Sequence, residues 1–537
     1  MAGPSAVLIG FQEQGNLGIG YVAAALIQRG VAVRILDFRD SPESILAAIR
    51  ATEPTLVGFS LIFQYYVPQF RALATYLRDN GVRSHFCAGG HYPSLRYAEV
   101  LRDVPALDSV IRFEGERTLP ELLDCLVVGR DWRSVPGIAY HAGEECLATP
   151  ARPLIADLDE LPFPARPLES ALTVLGQKAS PILASRGCSR ACAFCSIREF
   201  YRQVPGKKVR VRQPERVVEE MQALYADGVR IFLFLDDDFP VWGQFGQRWS
   251  AGFITALQSA GLYGKVVWKI SCRSDEVEPE LFGRLRDAGL YVVYLGIESG
   301  TDAGLQVLNK HLTVEEHYRA VATLADLGLA YTYGFMLFDP STTFASIQEN
   351  VRFLRRITAG GALPVVFCRM LPYAGTPIEA QLAAEGRLRG SVANPDYSFL
   401  DPRLDRYFAG LNERVADWMQ GADGFLNQVN FAWHEYWVMH RLVPGVTGLP
   451  EYGRFLRLAT AEANEFLLDT VANSARSFEA GDSWLPSLAD FERVRRRLQD
   501  HLVTGRDAFV ARNQARLLAC LPEAAEAERA APVLDAV

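Results

Sequence analysis

The sequence predicts an α/β protein with two consecutive regions of parallel sheet and a helical C-terminal region. Short apolar runs alternate with amphipathic stretches from residue 5 to about 125, and strand–helix units recur six times after residue 180. Beyond about residue 380 this alternation stops and helical periodicity continues. We therefore expect a doubly wound five-stranded parallel sheet, a partial (β/α)6 barrel and a mainly helical domain. The expected ranges are 1–130 for the first sheet domain, 131–180 for a connector, 181–380 for the barrel and 381–537 for the helical domain.

The composition is that of a globular protein without a strongly basic surface. The 537 residues are 49% hydrophobic and 22% charged, and the net charge is −8, so a nucleic-acid partner is not expected. No apolar run approaches the roughly 18 residues of a membrane span, and the N-terminus lacks a basic signal-like segment. Nine unevenly spaced cysteines do not suggest a disulfide framework, so we expect a reduced, cytoplasmic protein.

Five apolar runs of the first region are typical of strands, and the stretches Gly18–Arg29, Pro42–Ala51 and Pro68–Asn80 between them have helical periodicity. The loops that follow the first, third and fourth strands are rich in glycine and polar residues, as ligand-binding strand ends are. One interpretation is a nucleotide site with Asp37 about 20 residues past the first glycines, although their order is G-x-x-G-x-G. The strands are predicted at Ala6–Gly10, Val33–Asp37, Leu56–Ser60, His85–Gly89 and Ser109–Phe113.

The connector contains two short runs, Gly137–His141 and Glu145–Thr149, that suggest a hairpin. Pro162, Pro164 and Pro167 then mark an extended linker. We expect the barrel to begin directly after this linker.

Three cysteines lie close together in the stretch Ser185–Phe200, at C-x3-C-x2-C spacing and with Phe194 before the third. Three thiolates on one loop can bind three irons of a [4Fe-4S] cluster and leave the fourth iron open. A structural zinc site is the alternative, but it normally has a fourth Cys or His nearby, and no second CxxC or HxxxH follows. The predicted metal ligands are Cys188, Cys192 and Cys195.

This loop resembles the signature of the radical S-adenosylmethionine (SAM) enzymes. In that family the amino and carboxylate groups of SAM chelate the open iron, and reductive cleavage yields a 5′-deoxyadenosyl radical. The resemblance implies three things: SAM as a cofactor, a cellular reductant such as flavodoxin or ferredoxin, and a half-barrel built from the strands that follow. Those strands are predicted at Ile182–Ser185, Arg230–Leu235, Val266–Ile270, Tyr291–Leu295, Tyr331–Leu337 and Val365–Arg369.

Polar residues follow the second, third and fourth barrel strands, where the active site of a parallel barrel lies. Carboxylates and backbone oxygens after the second strand suit the SAM ammonium, and a solvated acidic turn is the alternative. Arg273 and Glu298 resemble residues that address the SAM carboxylate or ribose, and an internal ion pair is the alternative. The resemblance implies a SAM site formed by Phe194, Asp236, Asp237, Asp238, Ser271, Arg273 and Glu298.

The first domain resembles the cobalamin-binding domains that are fused to radical SAM barrels, because NLGIGY follows its first strand and Gly-Gly its fourth. It lacks the D-x-H-x-x-G motif, so the lower face of cobalt is met by the Phe63–Tyr66 loop or left open. His91 is an axial ligand or a tail-contacting or structural residue; a nucleotide or a structural role of the domain also remains possible. The implied cobalamin contacts are Gln14, Asn16, Leu17, Gly18, Ser60, Leu61, Gln64, Gly89, Gly90, His91, Glu114 and Gly115.

Together these resemblances imply a cobalamin-dependent radical SAM enzyme that acts on a small molecule. The expected reaction is methylation of an unactivated carbon of a natural-product-type metabolite, through methylcobalamin and the deoxyadenosyl radical. A non-methylating ring contraction, cyclisation or oxidation with the same cofactors is one alternative, and an electron-transfer or cofactor-binding protein is another. The aromatic-rich helical region is expected to cover the open side of the barrel as a substrate lid. No catalytic side chain and no substrate can be assigned from the sequence.

Overall fold

The computed structural model of the chain describes residues 3–12, 15–167, 172–420 and 424–521. Its N-terminal region is built on a seven-stranded sheet. Its strand order is β2-β1-β3-β4-β5-β6-β7, and the five predicted strands are parallel. The predicted hairpin in the connector forms, and it extends this sheet because β6 pairs antiparallel with β5. The strands are β1 Ser5–Gly10, β2 Ala32–Asp37, β3 Leu56–Ser60, β4 His85–Gly89, β5 Ser109–Ile111, β6 Ile138–Ala142 and β7 Glu145–Ala148.

Helices cover both faces of this sheet. Successive residues of a strand point to opposite faces, and in the central strands both sets are apolar. Val7 and Ile9 of β1 pack with one set of helices, and Ala6 and Leu8 pack with the other. The sheet is therefore doubly wound, and its ligand-binding edge lies where the parallel strands end. The helices are α1 Leu17–Ile27, α2 Pro42–Thr52, α3 Val67–Asp79, α4 His91–Leu95, α5 Tyr97–Asp103 and α6 Thr118–Val128.

A second sheet forms the half-barrel, with six parallel strands and one antiparallel strand, β8, at its edge. The first parallel strand, β9, begins and ends earlier than the predicted strand Ile182–Ser185. Its polar residues pair with β8 and interrupt the apolar pattern from which a strand is predicted. The order is β16-β15-β14-β13-β12-β9-β8, and β10 and β11 form a separate pair. The strands are β8 Leu172–Val174, β9 Gln177–Ile182, β10 Ser185–Arg186, β11 Arg210–Val211, β12 Val229–Phe234, β13 Val267–Cys272, β14 Leu290–Glu298, β15 Ala330–Phe338 and β16 Cys368–Arg369.

Alternation along these strands separates an outer core from the barrel interior. On β13, Trp268 and Ile270 pack into the core shared with the helices, so Lys269 and Ser271 point to the opposite, interior face. The helices of this region are α7 Ser196–Arg202, α8 Pro214–Ala226, α9 Gly243–Ser259, α10 Pro279–Asp287, α11 Asp302–Val307, α12 Val314–Asp326, α13 Phe344–Ile357 and α14 Pro377–Ala384.

A helical region follows a short hairpin, β17 Leu388–Gly390 and β18 Pro395–Tyr397. Val438 packs with Val267 and Tyr291, which lie where β13 and β14 begin, at the end of the barrel opposite the cysteine loop. The structure thus places this helix beneath the barrel, and the role of the region as a substrate lid remains a prediction. The helices are α15 Pro402–Met419, α16 Phe425–Leu442, α17 Leu449–Ala480 and α18 Leu488–Ala519. Within the described ranges, none of the helices has the length and apolar content to cross a membrane.

Candidate active site between the two sheets

The cysteine loop leaves β10 in a conformation that requires glycine. Gly187 has a φ of +89°, and a Cβ there would collide with the backbone carbonyl of Lys208. Further along, the Ala193 amide donates to the Leu308 carbonyl at 2.9 Å, and the Asn309 side-chain amide donates to the Ala191 carbonyl at 2.6 Å. The loop is therefore held on both sides of Cys192 to the turn that follows α11.

The three predicted metal ligands, Cys188, Cys192 and Cys195, lie half-buried on this loop, and Phe194 packs against the barrel core. Burial raises the pKa of the Cys188 thiol and raises that of Cys195 to about 11, so thiolates here need a metal to stabilise them. In the part of the chain that the structure describes, no three His, Cys, Asp or Glu side chains form a single-ion site. Three separate sulfurs on one loop fit a cluster, in which each sulfur binds its own iron.

The three aspartates after β12 have different surroundings. Asp236 is buried and accepts hydrogen bonds from the Ser185 hydroxyl at 2.6 Å and the Ala184 amide at 3.1 Å, and burial raises its pKa to about 7. Asp238 is also buried and accepts from the Cys188 thiol at 3.6 Å. Asp237 accepts from the Gly187 amide at 2.8 Å and keeps an exposed side chain. Of the three, Asp237 is the one that a ligand can reach.

Arg273 and Glu298 do not pair with each other. Buried Arg273 donates to Asp275 at 3.0 Å and to the Lys310 carbonyl at 2.7 Å, while Glu298 faces the Lys310 ammonium at 3.8 Å. The Arg273 Nη1 is buried without a hydrogen-bond partner among the described residues. Ser271, inside the barrel, uses its carbonyl to accept the Phe239 amide at 3.0 Å. A guanidinium with an unused donor is suited to an anionic ligand.

Glu298 adopts a left-handed conformation, with a φ of +69°, where the pairing of β14 with β15 shifts register. This conformation is uncommon for residues other than glycine and is often found at functional sites. Burial raises the pKa of the Glu298 carboxyl, and Lys310 opposes that shift. Lys310 could not be identified from the sequence, because it belongs to no motif and reaches Glu298 only through the fold.

At the edge of the first sheet, Asn16 connects two of the predicted cobalamin-binding loops. Its side-chain oxygen caps α1 by accepting from the Ile19 amide at 3.1 Å, and its amide nitrogen lies 3.4 Å from the Ser60 hydroxyl. Leu17 and Leu61 are buried in the core, so they offer a ligand only their backbone. Gln14, another predicted contact, lies outside the described residues.

The predicted glycines at this edge differ in the contacts that an added Cβ would make. A Cβ at Gly90 would lie 2.5 Å from the Leu61 carbonyl, so packing alone excludes a side chain there. At Gly89 the nearest atom is the Ile111 carbonyl at 3.6 Å, an ordinary contact, and at Gly18 it is the Asn16 oxygen at 3.4 Å. Gly18 and Gly89 therefore leave space that the surrounding protein does not fill.

The side chains of two other predicted cobalamin contacts form hydrogen bonds with other parts of the protein. Gln64 accepts from the Ala374 amide at 2.6 Å, which joins the first sheet to the turn after β16. Glu114 accepts from the Ile155 amide at 2.7 Å and from Arg210 at 2.7 Å. Gly115 lies beside Val22, where a Cβ would be 3.3 Å from a methyl group.

The His91 ring lies 4.5 Å from the Phe200 ring of α7, just past the cysteine loop. Burial lowers the pKa of His91 to about 4, so its imidazole is neutral at neutral pH and has a free lone pair on one nitrogen. Both the axial-ligand and the tail-contacting or structural interpretations of His91 are compatible with this position.

A buried charge network joins the two sheets beside the cysteine loop. Arg186, the residue before Gly187, pairs with Glu116 at 2.6 Å and Glu114 at 3.2 Å, and its guanidinium lies 4.7 Å from the Tyr21 ring centroid. Arg210 pairs with Glu114 at 2.7 Å. Arg212, the next basic residue along the chain, pairs with Glu220 at 2.6 Å, so carboxylates of the protein itself match both arginines.

Two family models match this chain in consecutive segments. A B12 binding domain model matches residues 11–123, and a radical SAM superfamily model matches residues 182–354. The first segment contains the glycine-rich edge, and the second begins at the end of β9 and includes the cysteine loop.

Curated relatives are similar over much of the same span. An uncharacterized methyltransferase of Pyrococcus horikoshii is 27% identical over 72% of this chain and 82% of its own. The hopanoid C-3 methylase of Methylococcus capsulatus is 28% identical over 60% of this chain and 61% of its own. An anaerobic magnesium-protoporphyrin IX monomethyl ester cyclase of Rubrivivax gelatinosus is 30% identical over 50% of this chain, and the match spans 48% of the cyclase.

The fold is also that of a solved structure, the cobalamin-dependent SAM radical enzyme OxsB with aqua-cobalamin bound. The two share a TM-score of 0.65 and 17% identity over 97% of this chain and 84% of that one. The two matching models, in this order along the chain, lead to one conclusion: this protein combines a B12 binding domain with a domain of the radical SAM superfamily.

Proposed function

We propose that this protein is a cobalamin-dependent radical SAM methyltransferase that methylates an unactivated carbon of a small molecule. One observation carries the proposal: the edge at which the parallel strands of the first sheet end contacts the barrel before and after the cysteine loop. A Cβ at Gly15 would lie 2.6 Å from Pro181, and His91 packs on Phe200. These contacts support adjoining cofactor sites, at which one substrate can meet both groups.

The residues present fit the three groups that the family uses. The sulfurs of Cys188, Cys192 and Cys195 would hold the cluster, and the unfilled space at Gly18 and Gly89 suits a bulky ligand against backbone. When bound, these groups supply hydrogen-atom abstraction and methyl donation. SAM would be held at the barrel mouth by five of the predicted residues: Phe194, Asp237, Ser271, Arg273 and Glu298.

The chain's own contribution is to hold these groups in place and to keep water out. Arg273 presents an unused guanidinium nitrogen, and Asp237 an accessible carboxylate, at neighbouring strand ends. The ammonium and carboxylate of an amino acid need such complementary charges when they leave water. We further propose that an electron donor such as flavodoxin or ferredoxin docks beside the cysteine loop, in the reducing cytoplasm.

The test uses anaerobically reconstituted protein, a reductant, candidate substrates and SAM with a trideuterated methyl group. A product heavier by one labelled methyl, formed together with 5′-deoxyadenosine, supports the proposal. A second candidate, a radical cyclisation or oxidation, is favoured by the similarity to the anaerobic cyclase. Deoxyadenosine together with a product that lacks the label would establish that second reaction and exclude methylation.

Site variants separate the two cofactor sites. Cys192→Ala should lose the cluster and deoxyadenosine formation but retain cobalamin, whereas the matched Cys520→Ala, in the residue that follows α18, should keep both. Gly89→Val should lose cobalamin and keep iron, because the protein itself leaves room for the side chain. Iron and cobalt per chain report both outcomes, and cobalamin retained at full occupancy by Gly89→Val would exclude the assignment of that edge.

A further inference from the structure

A polar column lies inside the half-barrel, below the strand ends that form the proposed SAM site. Lys269 is the third residue of β13, opposite Leu233 of β12 and Val292 of β14, and Ser271 lies one step nearer the mouth on the same face. The Lys269 ammonium lies 5.9 Å from the centroid of the Tyr294 ring. Lys269 is half-buried, so part of its side chain stays accessible although apolar residues of the barrel pack beside it.

Lys269 differs from the other interior lysine in having no acidic partner. Lys310 faces Glu298 at 3.8 Å, whereas among the described residues no carboxylate lies within 4.0 Å of the Lys269 ammonium. Burial lowers the pKa of Lys269, as expected for an ammonium that has lost water without gaining an anion. The Tyr294 ring at this distance is a weak compensation. Burying an unpaired charge is unfavourable, and a ligand anion would remove that penalty.

A second nitrogen donor reaches the same space from the helical region. His434 of α16 lies with its ring 6.2 Å from Tyr291, where β14 begins. Burial and the nearby charge of Lys269 lower the pKa of His434 to about 4. His434 is half-buried, so a ligand in the barrel can contact it. The lower part of the barrel thus presents two nitrogen groups, those of Lys269 and His434.

We propose that Lys269, assisted by His434, binds an oxyanion of the substrate, either a carboxylate or a phosphoryl group. The inference rests on the proposed function, because it assumes that a small molecule enters the barrel from the mouth. The anionic end of that molecule lies deepest, against β13, and the carbon that reacts points back toward the cysteine loop. Lys269 is a specificity-determining residue: neutral analogues of the substrate leave its charge uncompensated.

The test exploits the scarcity of lysine, of which the chain has six. Trinitrobenzenesulfonate modifies accessible amines, and peptide mass spectrometry reads each lysine separately. The probes are acetate, benzoate and inorganic phosphate, with benzamide as the neutral match to benzoate. We expect an oxyanion to slow modification of Lys269 at least threefold, benzamide to have no effect, and exposed Lys265 to be unprotected throughout. Protection by benzoate alone identifies a carboxylate site, and protection by phosphate alone a phosphoryl site.

A second chemical modification, of His434, tests anion binding in the variant that lacks Lys269. Diethyl pyrocarbonate modification of His434 should be slowed by the same oxyanion in the wild type and in Lys265→Met, but not in Lys269→Met. No protection of Lys269 by any of the three anions, or equal protection by benzamide, overturns the proposal. Deoxyadenosine formation by the reconstituted wild type is measured separately, so a failed radical reaction is distinguishable from a failed anion site.

Discussion

His317 is fully buried between α12 and the turn after β13, where its Nδ1 lies 2.7 Å from the Ser274 hydroxyl. Its Nε2 has no hydrogen-bond partner among the described residues. Burial, together with the charges of Lys310 and Arg273, lowers its pKa to about 3. The imidazole is therefore neutral in the folded protein near neutral pH.

This depressed pKa predicts an acid-sensitive contribution to stability. The unfolded histidine has a pKa of about 6.5, so the contribution is complete above that pH and is lost as pH falls toward 3. Between pH 6.5 and 5.5 this group alone should lower the free energy of unfolding by about 1 kcal/mol. Urea unfolding of the cofactor-free chain at both pH values measures the loss, and His317→Leu should show about 1 kcal/mol less of it. An equal loss in both proteins would contradict the buried neutral state.

At the scale of elements, the contact between the half-barrel and α17 depends on two adjacent glycines after α13. Gly360 and Gly361 both have left-handed backbones, with φ of +72° and +67°. A Cβ at Gly360 would meet nothing within 4 Å, whereas a Cβ at Gly361 would collide with the Arg457 carbonyl of α17. Nearby, Asn464 of α17 accepts from the Val365 amide at 2.7 Å and donates to the Leu363 carbonyl at 3.0 Å.

These glycines form a matched pair for mutation. Gly360→Ala should lower the free energy of unfolding by about 1 kcal/mol, the usual penalty of a left-handed residue other than glycine. Gly361→Ala has the same penalty and in addition must displace α17, which adds roughly 1–3 kcal/mol. Urea unfolding of the two variants gives the difference directly. If both variants lose the same stability, α17 does not pack closely on this turn.

Local periodicity was sufficient to predict the five parallel strands of the first sheet and the strand–helix units of the barrel. It was not sufficient where pairing is distant along the chain. The sequence pattern places the hairpin β6–β7 in a connector, but in the structure β6 pairs with β5. The pattern also places the first barrel strand too late, because the polar residues of β9 pair with the edge strand β8. The interior position of Lys269 and the pairing of Glu298 with Lys310 depend on register between strands, which composition does not reveal.

At the scale of the whole molecule, the two sheets are coupled through Arg186. Its side chain is 11% exposed and lies between Glu114 and Glu116 of the first region, one residue before the start of the cysteine loop. Removing one member of a buried charge network leaves the others unpaired, which is strongly destabilising. The position of the cysteine loop relative to the first sheet therefore depends on this network.

Arg186→Met should lower the free energy of unfolding by roughly 3–5 kcal/mol and should also reduce iron and cobalamin retained per chain. Arg117→Met is the control, because Arg117 pairs with Glu160 at 2.9 Å on the surface and its loss should change stability by about 0–1 kcal/mol. Urea unfolding and metal content measure the two effects. Cofactor retention equal to that of the control would show that the network stabilises the fold without positioning the site.

The central claim is that one chain holds an iron–sulfur cluster and cobalamin in adjoining sites. The most direct test is iron and cobalt per chain after anaerobic reconstitution with iron, sulfide and hydroxocobalamin, followed by desalting. The account predicts about four irons, as for one [4Fe-4S] cluster, together with about one cobalt. About four irons without cobalt would contradict the cobalamin site, and with it the proposed methylation through cobalamin.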